Sequence, residues 1–371
     1  MSDIGLARGL ARGLWGVLAT PLRGPGLEID EASLRRQIEH HRTLGSRGVV
    51  ALGVFGEAAR LSGAERAQVA AAATQAANDS TAATTTTQRL PVVLGLPELA
   101  TAQTIRAARE LLSAAGPVAA IMVQINSADP AELRSHLTAV HDATGTALVV
   151  QDYPATSGVS IPAAALAAAI RGLDFVAAVK SEAPPTAVAI AGLTAQGVEA
   201  PVFGGLGGLG LLDELMAGAA GAMTGFSFPE GLLATLEAWE AGGYAAAREA
   251  YLPWLPLVNF EAQAGVGLAV RKASLQRRGL IDEAAVRPPG APFPVALGPL
   301  LDRHLAALGT GNGTKTRGVG EAPRPIDTSG TFGDDDKPAQ PLAEPAALPR
   351  SPSSDSLADP DQTPSAHRRS P

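Results

Sequence analysis

Eight short apolar runs, separated by amphipathic stretches, constrain the fold of this 371-residue chain more than any other feature. They are GLWGVLATPL (Gly13–Leu22), GVVALG (Gly48–Gly53), PVVLGLP (Pro91–Pro97), AAIMVQ (Ala119–Gln124), ALVVQDYP (Ala147–Pro154), FVAAVKSE (Phe175–Glu182), PVFGGLG (Pro201–Gly207) and GAMTGFS (Gly221–Ser227). Half-exposed antiparallel strands alternate apolar and polar residues. These runs are continuous, which suits strands buried on both faces. Segments such as EASLRRQIEHHRTLG, TAQTIRAARELLSAAG and PAELRSHLTAVHDATG lie between them and carry helix-start and helix-stop signals. Eight strand–helix units over about 230 residues predict an α/β fold, a (β/α)8 TIM barrel. A doubly wound open sheet is the competing arrangement, but the first strand–helix turn lacks its G-x-G-x-x-G loop. The Gly204–Gly210 run follows the seventh strand, where a barrel-mouth turn is expected rather than a dinucleotide cradle.

The barrel is expected over residues 1–227, with a helical region packed on it over 228–308. From residue 309 to 371 the composition turns to Gly, Pro, Ser, Thr and Asp without apolar periodicity, which predicts a disordered tail. The polar stretch Asn78–Arg89 reads as a surface loop. Arg8 and Arg12 before an apolar run look like a weak secretory signal, but Pro21 and Arg23 follow directly, and the run is read as the first strand. No apolar stretch reaches the roughly 18 residues of a spanning helix. A net charge of −7 argues against nucleic acid as a partner. With no cysteine, disulfides, zinc ribbons, iron–sulfur ligation and a thiol nucleophile are excluded. A cytoplasmic protein fits these features.

Of 29 basic residues only four are lysine (Lys180, Lys272, Lys315 and Lys337), leaving 25 arginines. Lys180 follows five apolar residues at the end of the sixth run, the end of a barrel strand where reacting groups stand. Burial disfavours an ammonium, and a neutral amine is what a Schiff-base lysine needs. A solvated lysine just past a strand end is the plainer alternative. Glu182 shares the strand face of Lys180 and offers a proton shuttle, but its charge favours the ammonium. Tyr153 is the only barrel candidate among three tyrosines and shares a strand face with Gln151. It reads either as a proton carrier or as a rim-packing residue, whereas Asp152 should point toward the helices. His40, His41, His136 and His141 read as solvated outer-helix residues without metal-site spacing. Arg271 and Lys272 read as a solvated helix face or a subunit contact.

From about Leu14 to Leu308 the chain resembles the dihydrodipicolinate synthase / N-acetylneuraminate lyase family of class I aldolases. GLWGVLATPL is similar to that family's first strand. GVFGE (Gly53–Glu57), with Leu61, Glu65 and Arg66, resembles G-T-T-G-E…L…E-R. QDYPATSG (Gln151–Gly158) resembles Y-N-x-P-x-R-T-G, and VKSEAPP resembles the lysine-bearing V-K-E/D block. The resemblance implies that Lys180 forms an imine with pyruvate or another 2-keto acid. It also implies that the Gly53–Glu57 turn holds the carboxylate, that no metal or organic cofactor is needed, and that the chain forms a homodimer or homotetramer.

The chain departs from the pattern at several positions. Val54 and Phe55 replace two threonines, Gln151 replaces the proton-relay tyrosine, and Thr156 replaces an arginine that holds a second substrate. VQINS (Val123–Ser127) replaces a tyrosine-containing segment. The synthase reaction proper is therefore not expected. The expected function is an aldolase or dehydratase acting on a pyruvate-like 2-keto acid. Lys180, Tyr153 and Glu182 are the catalytic candidates. Gly53, Val54, Phe55, Gly56, Glu57, Gln151 and Gly205 are the substrate-binding candidates. The rival expectation is a barrel that has lost turnover and binds a metabolite or a protein partner.

Overall fold

The computed structural model describes residues 9–79 and 89–309. Most of the Asn78–Arg89 loop and all of the expected tail beyond Gly309 lie outside the described residues. Eight parallel strands form one sheet: β1 (Gly13–Val17), β2 (Gly48–Ala51), β3 (Val92–Gly95), β4 (Ala120–Gln124), β5 (Leu148–Asp152), β6 (Val176–Ser181), β7 (Val202–Phe203) and β8 (Gly221–Thr224). Each strand pairs with its sequence neighbour, and β8 pairs with β1. A parallel bridge between Gly204 and Ala222 closes the ring between β7 and β8, so the arrangement is the expected α/β barrel and not an open sheet.

Helices alternate with the strands: α1 (Glu31–Leu44), α2 (Gly63–Asn78), α3 (Thr101–Ala115), α4 (Pro130–Thr144), α5 (Ala163–Ile170), α6 (Thr186–Ala195), α7 (Leu211–Met216) and α8 (Pro229–Tyr251). Their ends follow local chemistry. Asp30 caps α1 by accepting the Ser33 N–H, and Gly45 takes the left-handed conformation at its end. Ser62 and Glu65 form a reciprocal capping box on α2. Asp129 caps α4, with Pro130 in its first turn and Gly145 after its last.

Two apolar layers explain why the strands read as continuous. Leu94, Ile121, Val123, Leu148 and Val179 face the helices. Trp15, Val50, Val93, Met122, Val149, Phe203 and Met223 fill the barrel interior. Burying each large apolar side chain contributes about 1.5–3 kcal/mol before conformational entropy is subtracted. Gly48 leaves the space that the Trp15 ring occupies, since a Cβ there would lie 2.2 Å from the ring.

Three further helices follow: α9 (Leu255–Glu261), α10 (Gly267–Arg277) and α11 (Gly298–Ala307). Leu257, Val258, Val270, Leu301 and Leu305 from these helices share a buried cluster with Leu14 of β1 and with Phe226 and Phe228 after β8. This packing brings α10 to the C-terminal end of the barrel, where the strand ends present their side chains. Among the described residues no helix is long and apolar enough to cross a membrane.

Candidate active site

A cavity of about 380 Å3 opens at the C-terminal ends of the strands. Val17 of β1, Val54 and Phe55 after β2, Tyr153 after β5, Lys180 and Glu182 at the end of β6, and Thr224 of β8 all line it. Every residue of β6 is buried, and Lys180 is 4% exposed. The β5–β6 register sets Lys180 beside Gln151, and the β6–β7 register sets it beside Phe203. Lys180 therefore stands in the cavity, which rejects the alternative of a solvated lysine past the strand end.

Lys180 Nζ lies 2.9 Å from Oε2 of Glu182. That same oxygen accepts a hydrogen bond from Gln151 Nε2 at 2.7 Å. The other oxygen, Oε1, accepts the Leu206 N–H at 3.2 Å. Gly205 is required here, because a Cβ at that position would lie 2.3 Å from the Glu182 carboxylate. The glycine-rich run after β7 thus forms a mouth turn, as expected. Its Gly207 has φ 74° and donates its N–H to Thr224 Oγ1 at 2.7 Å. Gly205 and Gln151 both act on Glu182, and neither lines the cavity.

Tyr153 shares the cavity with Lys180. Burial raises its phenol above the usual value, as does the Glu182 charge, while Arg271 opposes the shift. Asp152 is buried and does not line the cavity. Burial, followed by the Glu182 charge, pushes its carboxyl up to about 6.

The Gly53–Glu57 turn is tightly held. Leu52 and Glu57, at its two ends, both have left-handed φ, 60° and 58°. Thr20 Oγ1 donates to the Gly56 carbonyl at 2.6 Å. Only Val54 and Phe55 of the turn line the cavity; Gly53, Gly56 and Glu57 stand behind it. The Phe55 ring fits against Gly225, where a Cβ would lie 2.3 Å from the ring. The Glu57 carboxylate meets Lys272 Nζ at 2.5 Å and the Arg287 N–H at 2.8 Å.

Two expectations need correction. Arg271 and Lys272 do not form a solvated face. Packing of α10 onto the barrel mouth places Arg271 in the cavity wall and buries Lys272 completely. His41 and His136 are not solvated either. Gly16 leaves room for the His41 ring, whose Nδ1 bonds Ser46 Oγ at 2.9 Å, and burial drives this imidazole down to about 3. His136 Nδ1 lies 2.9 Å from Thr101 Oγ1, and burial lowers it as well. The scarcity of lysine that singles out Lys180 applies equally to Lys272, which stands one residue beyond the apolar run Leu268–Val270. Nothing in the local sequence marks Arg271 or Thr224 as cavity residues.

Comparison with known proteins agrees with the barrel fold. The profile of the dihydrodipicolinate synthetase family matches residues 10–301. L-2-keto-3-deoxyarabonate dehydratase from Azospirillum brasilense is 31% identical over 287 residues, 75% of this chain and 88% of that protein. 4-Hydroxy-tetrahydrodipicolinate synthase from Kineococcus radiotolerans is 27% identical over 318 residues, 84% of this chain and 94% of that protein. The crystal structure of dihydrodipicolinate synthase from Rhodopseudomonas palustris superposes with a TM-score of 0.70 at 28% identity, covering 81% of this chain and all of that one. With eight parallel strands closed into a barrel and a match spanning nearly all of it, the chain belongs to the dihydrodipicolinate synthetase family.

Proposed function

We propose that this protein is a Schiff-base lyase that removes water from a 2-keto-3-deoxy sugar acid. The observation that carries the reading is the buried pair of Lys180 and Glu182, 2.9 Å apart in one cavity. The Lys180 ammonium hands a proton to Glu182, the freed amine attacks the C2 ketone, and the nitrogen passes a second proton to the ketone oxygen to give a carbinolamine. Glu182 returns that proton to the departing hydroxyl, water leaves, and a protonated imine joins C2 to Nζ. The imine withdraws electrons from C3. Glu182 takes a C3 proton, leaving an enamine, and then delivers it to the C4 hydroxyl, which departs as water. Tyr153, whose phenol is held protonated, supports that oxygen with a hydrogen bond. Addition of water to the imine releases the keto product and restores Lys180.

Glu182 suits this role because Gln151 occupies the tyrosine position of the family pattern and cannot carry protons near neutral pH. Gln151 instead holds Glu182 in place. Dehydration is preferred over carbon–carbon cleavage because the A. brasilense relative, matched over 88% of its length, is a dehydratase.

Borohydride reduction in the presence of pyruvate or 2-keto-3-deoxyarabonate, followed by peptide mass analysis, tests the imine. A reduced adduct on the Lys180 peptide is expected. Its absence with every 2-keto acid tried overturns the reading and favours a barrel that only binds. Product analysis then separates loss of water from cleavage to two fragments.

A further inference from the structure

Three cations line the cavity, and their partners differ. Lys180 is paired with Glu182, and Arg60 Nη1 lies 3.4 Å from Glu57. The side chain of Arg271 is only 16% exposed, yet among the described residues none of its guanidinium N–H groups makes a hydrogen bond. Glu261 stands 3.7 Å from its Nε, an ionic contact too long for a hydrogen bond. The Glu261 carboxylate is already engaged by the Ser227 N–H and the Ser227 hydroxyl. A planar guanidinium offers five donors in a fork that matches a carboxylate, so a desolvated one without hydrogen bonds is a receptor awaiting an anion.

The surrounding chain is shaped to this group. Arg271 Cζ sits 5.5 Å from the centroid of Phe55, which braces one face of the guanidinium. On the β7 side, Gly207 leaves the necessary space, since a Cβ there would lie 2.4 Å from Arg271 Nη2. Phe55 belongs to the turn after β2, so the free donors lie over the wall that offers an anion no side-chain hydroxyl. We infer that Arg271 is the receptor for the substrate's C1 carboxylate, the anionic group next to the ketone that Lys180 attacks. The inference rests on the imine reading of Lys180. It assigns carboxylate recognition in this chain to the C-terminal helix α10 in addition to the β2 turn.

Calorimetric titration of the whole chain tests it, with pyruvate as the anionic probe and hydroxyacetone as a ketone of similar size without a carboxylate. Arg271→Met should weaken pyruvate binding on the order of 10- to 100-fold, as loss of hydrogen bonds to a charged group does. Hydroxyacetone binding should be unchanged. Arg271→Lys, which keeps the charge but not the fork, should bind pyruvate with intermediate affinity and guards against a folding defect in the Met variant. Equal pyruvate affinity in wild type and both variants overturns the inference, as does equal weakening toward both probes. Borohydride trapping separates this from the imine reading. Wild-type binding without an adduct removes the imine but leaves Arg271 testable by affinity. An adduct whose pyruvate dependence is the same in Arg271→Met removes the receptor and leaves the imine. Wild-type protein that neither binds nor traps pyruvate overturns both.

Discussion

Lys272 and Glu57 form an ion pair 2.5 Å long with both side chains completely excluded from solvent. The pair joins α10 to the turn after β2, 215 residues apart in sequence. Lys272 also donates to the Ala285 carbonyl at 2.6 Å, so the ammonium is shared between two acceptors. Removing one member of such a pair strands the other charge without water, which typically costs about 3–5 kcal/mol. Lys272→Met should lower stability in urea unfolding by that amount. The double variant Glu57→Gln/Lys272→Met should lose less than the sum of the two single variants, because neither charge is then stranded. Strict additivity would mean that the two side chains are not coupled.

Glu182 receives donors from Lys180, Gln151 and Leu206 and lines the cavity beside the proposed imine. Glu182→Gln keeps the shape, and Gln151 can rotate its amide to present the oxygen in place of the nitrogen. What is lost is the ability to accept and return a proton. Turnover should fall roughly 10²- to 10⁴-fold, the usual contribution of a general acid–base, and borohydride trapping of pyruvate on Lys180 should slow, because Glu182 also serves imine formation, yet still yield the adduct on long incubation. Retention of near wild-type turnover would move the proton carrier elsewhere, with Tyr153 next in line.

The barrel was legible because its strands are buried on both faces and so print as uninterrupted apolar runs, with caps such as Asp30 and Ser62 marking the helices between them. Lys180 was legible for a related reason: it interrupts such a run at its C-terminal end. The other half of the site was not. Arg271 lies on α10, about ninety residues after Lys180, and its neighbours in sequence give no sign that the helix packs over the barrel mouth. The same long-range packing buries Lys272 against Glu57. His41 was hidden differently. Its burial depends on Gly16 in β1, and the absence of a side chain at one position cannot be read as space for a ring at another until the register is known.

Glu214 of α7 is 1% exposed and lies against Gly204, where a Cβ would be 1.8 Å from its carboxylate. Burial pushes it up to about 7; the charges of Glu182 and Asp213 add to this, and the Thr186 hydroxyl opposes it. In the unfolded chain a glutamate titrates near 4.3. Between these values the native state holds a proton that the unfolded state has released, so this group's contribution to stability declines as pH rises. Glu214→Gln removes the ionisation. Relative to wild type, the variant should gain on the order of 3 kcal/mol between pH 4 and pH 8. Urea midpoints at the two pH values read this directly, and a pH-independent difference would show that the carboxyl is not held protonated.

His41 has the opposite sign. Its ring occupies the space left by Gly16, and burial is the main reason its imidazole titrates at about 3, with the neighbouring His40 charge adding to the shift and Glu230 opposing it. Unfolding returns the imidazole to water, where it titrates near 6.5. Between about 3 and 6.5 the unfolded chain therefore binds one proton that the native protein excludes, and the native state weakens as pH falls. The slope from this single group approaches 1.4 kcal/mol per pH unit. His41→Gln cannot titrate and loses some packing at every pH, so its stability at pH 7 should be lower than wild type. That deficit should shrink by roughly 2 kcal/mol on going from pH 7 to pH 5, because only the wild type pays the proton-linked cost. Urea unfolding of both proteins at the two pH values measures the change. The comparison cancels the carboxylates common to both, so a deficit that stays constant would place the acid sensitivity in those groups and not in the imidazole.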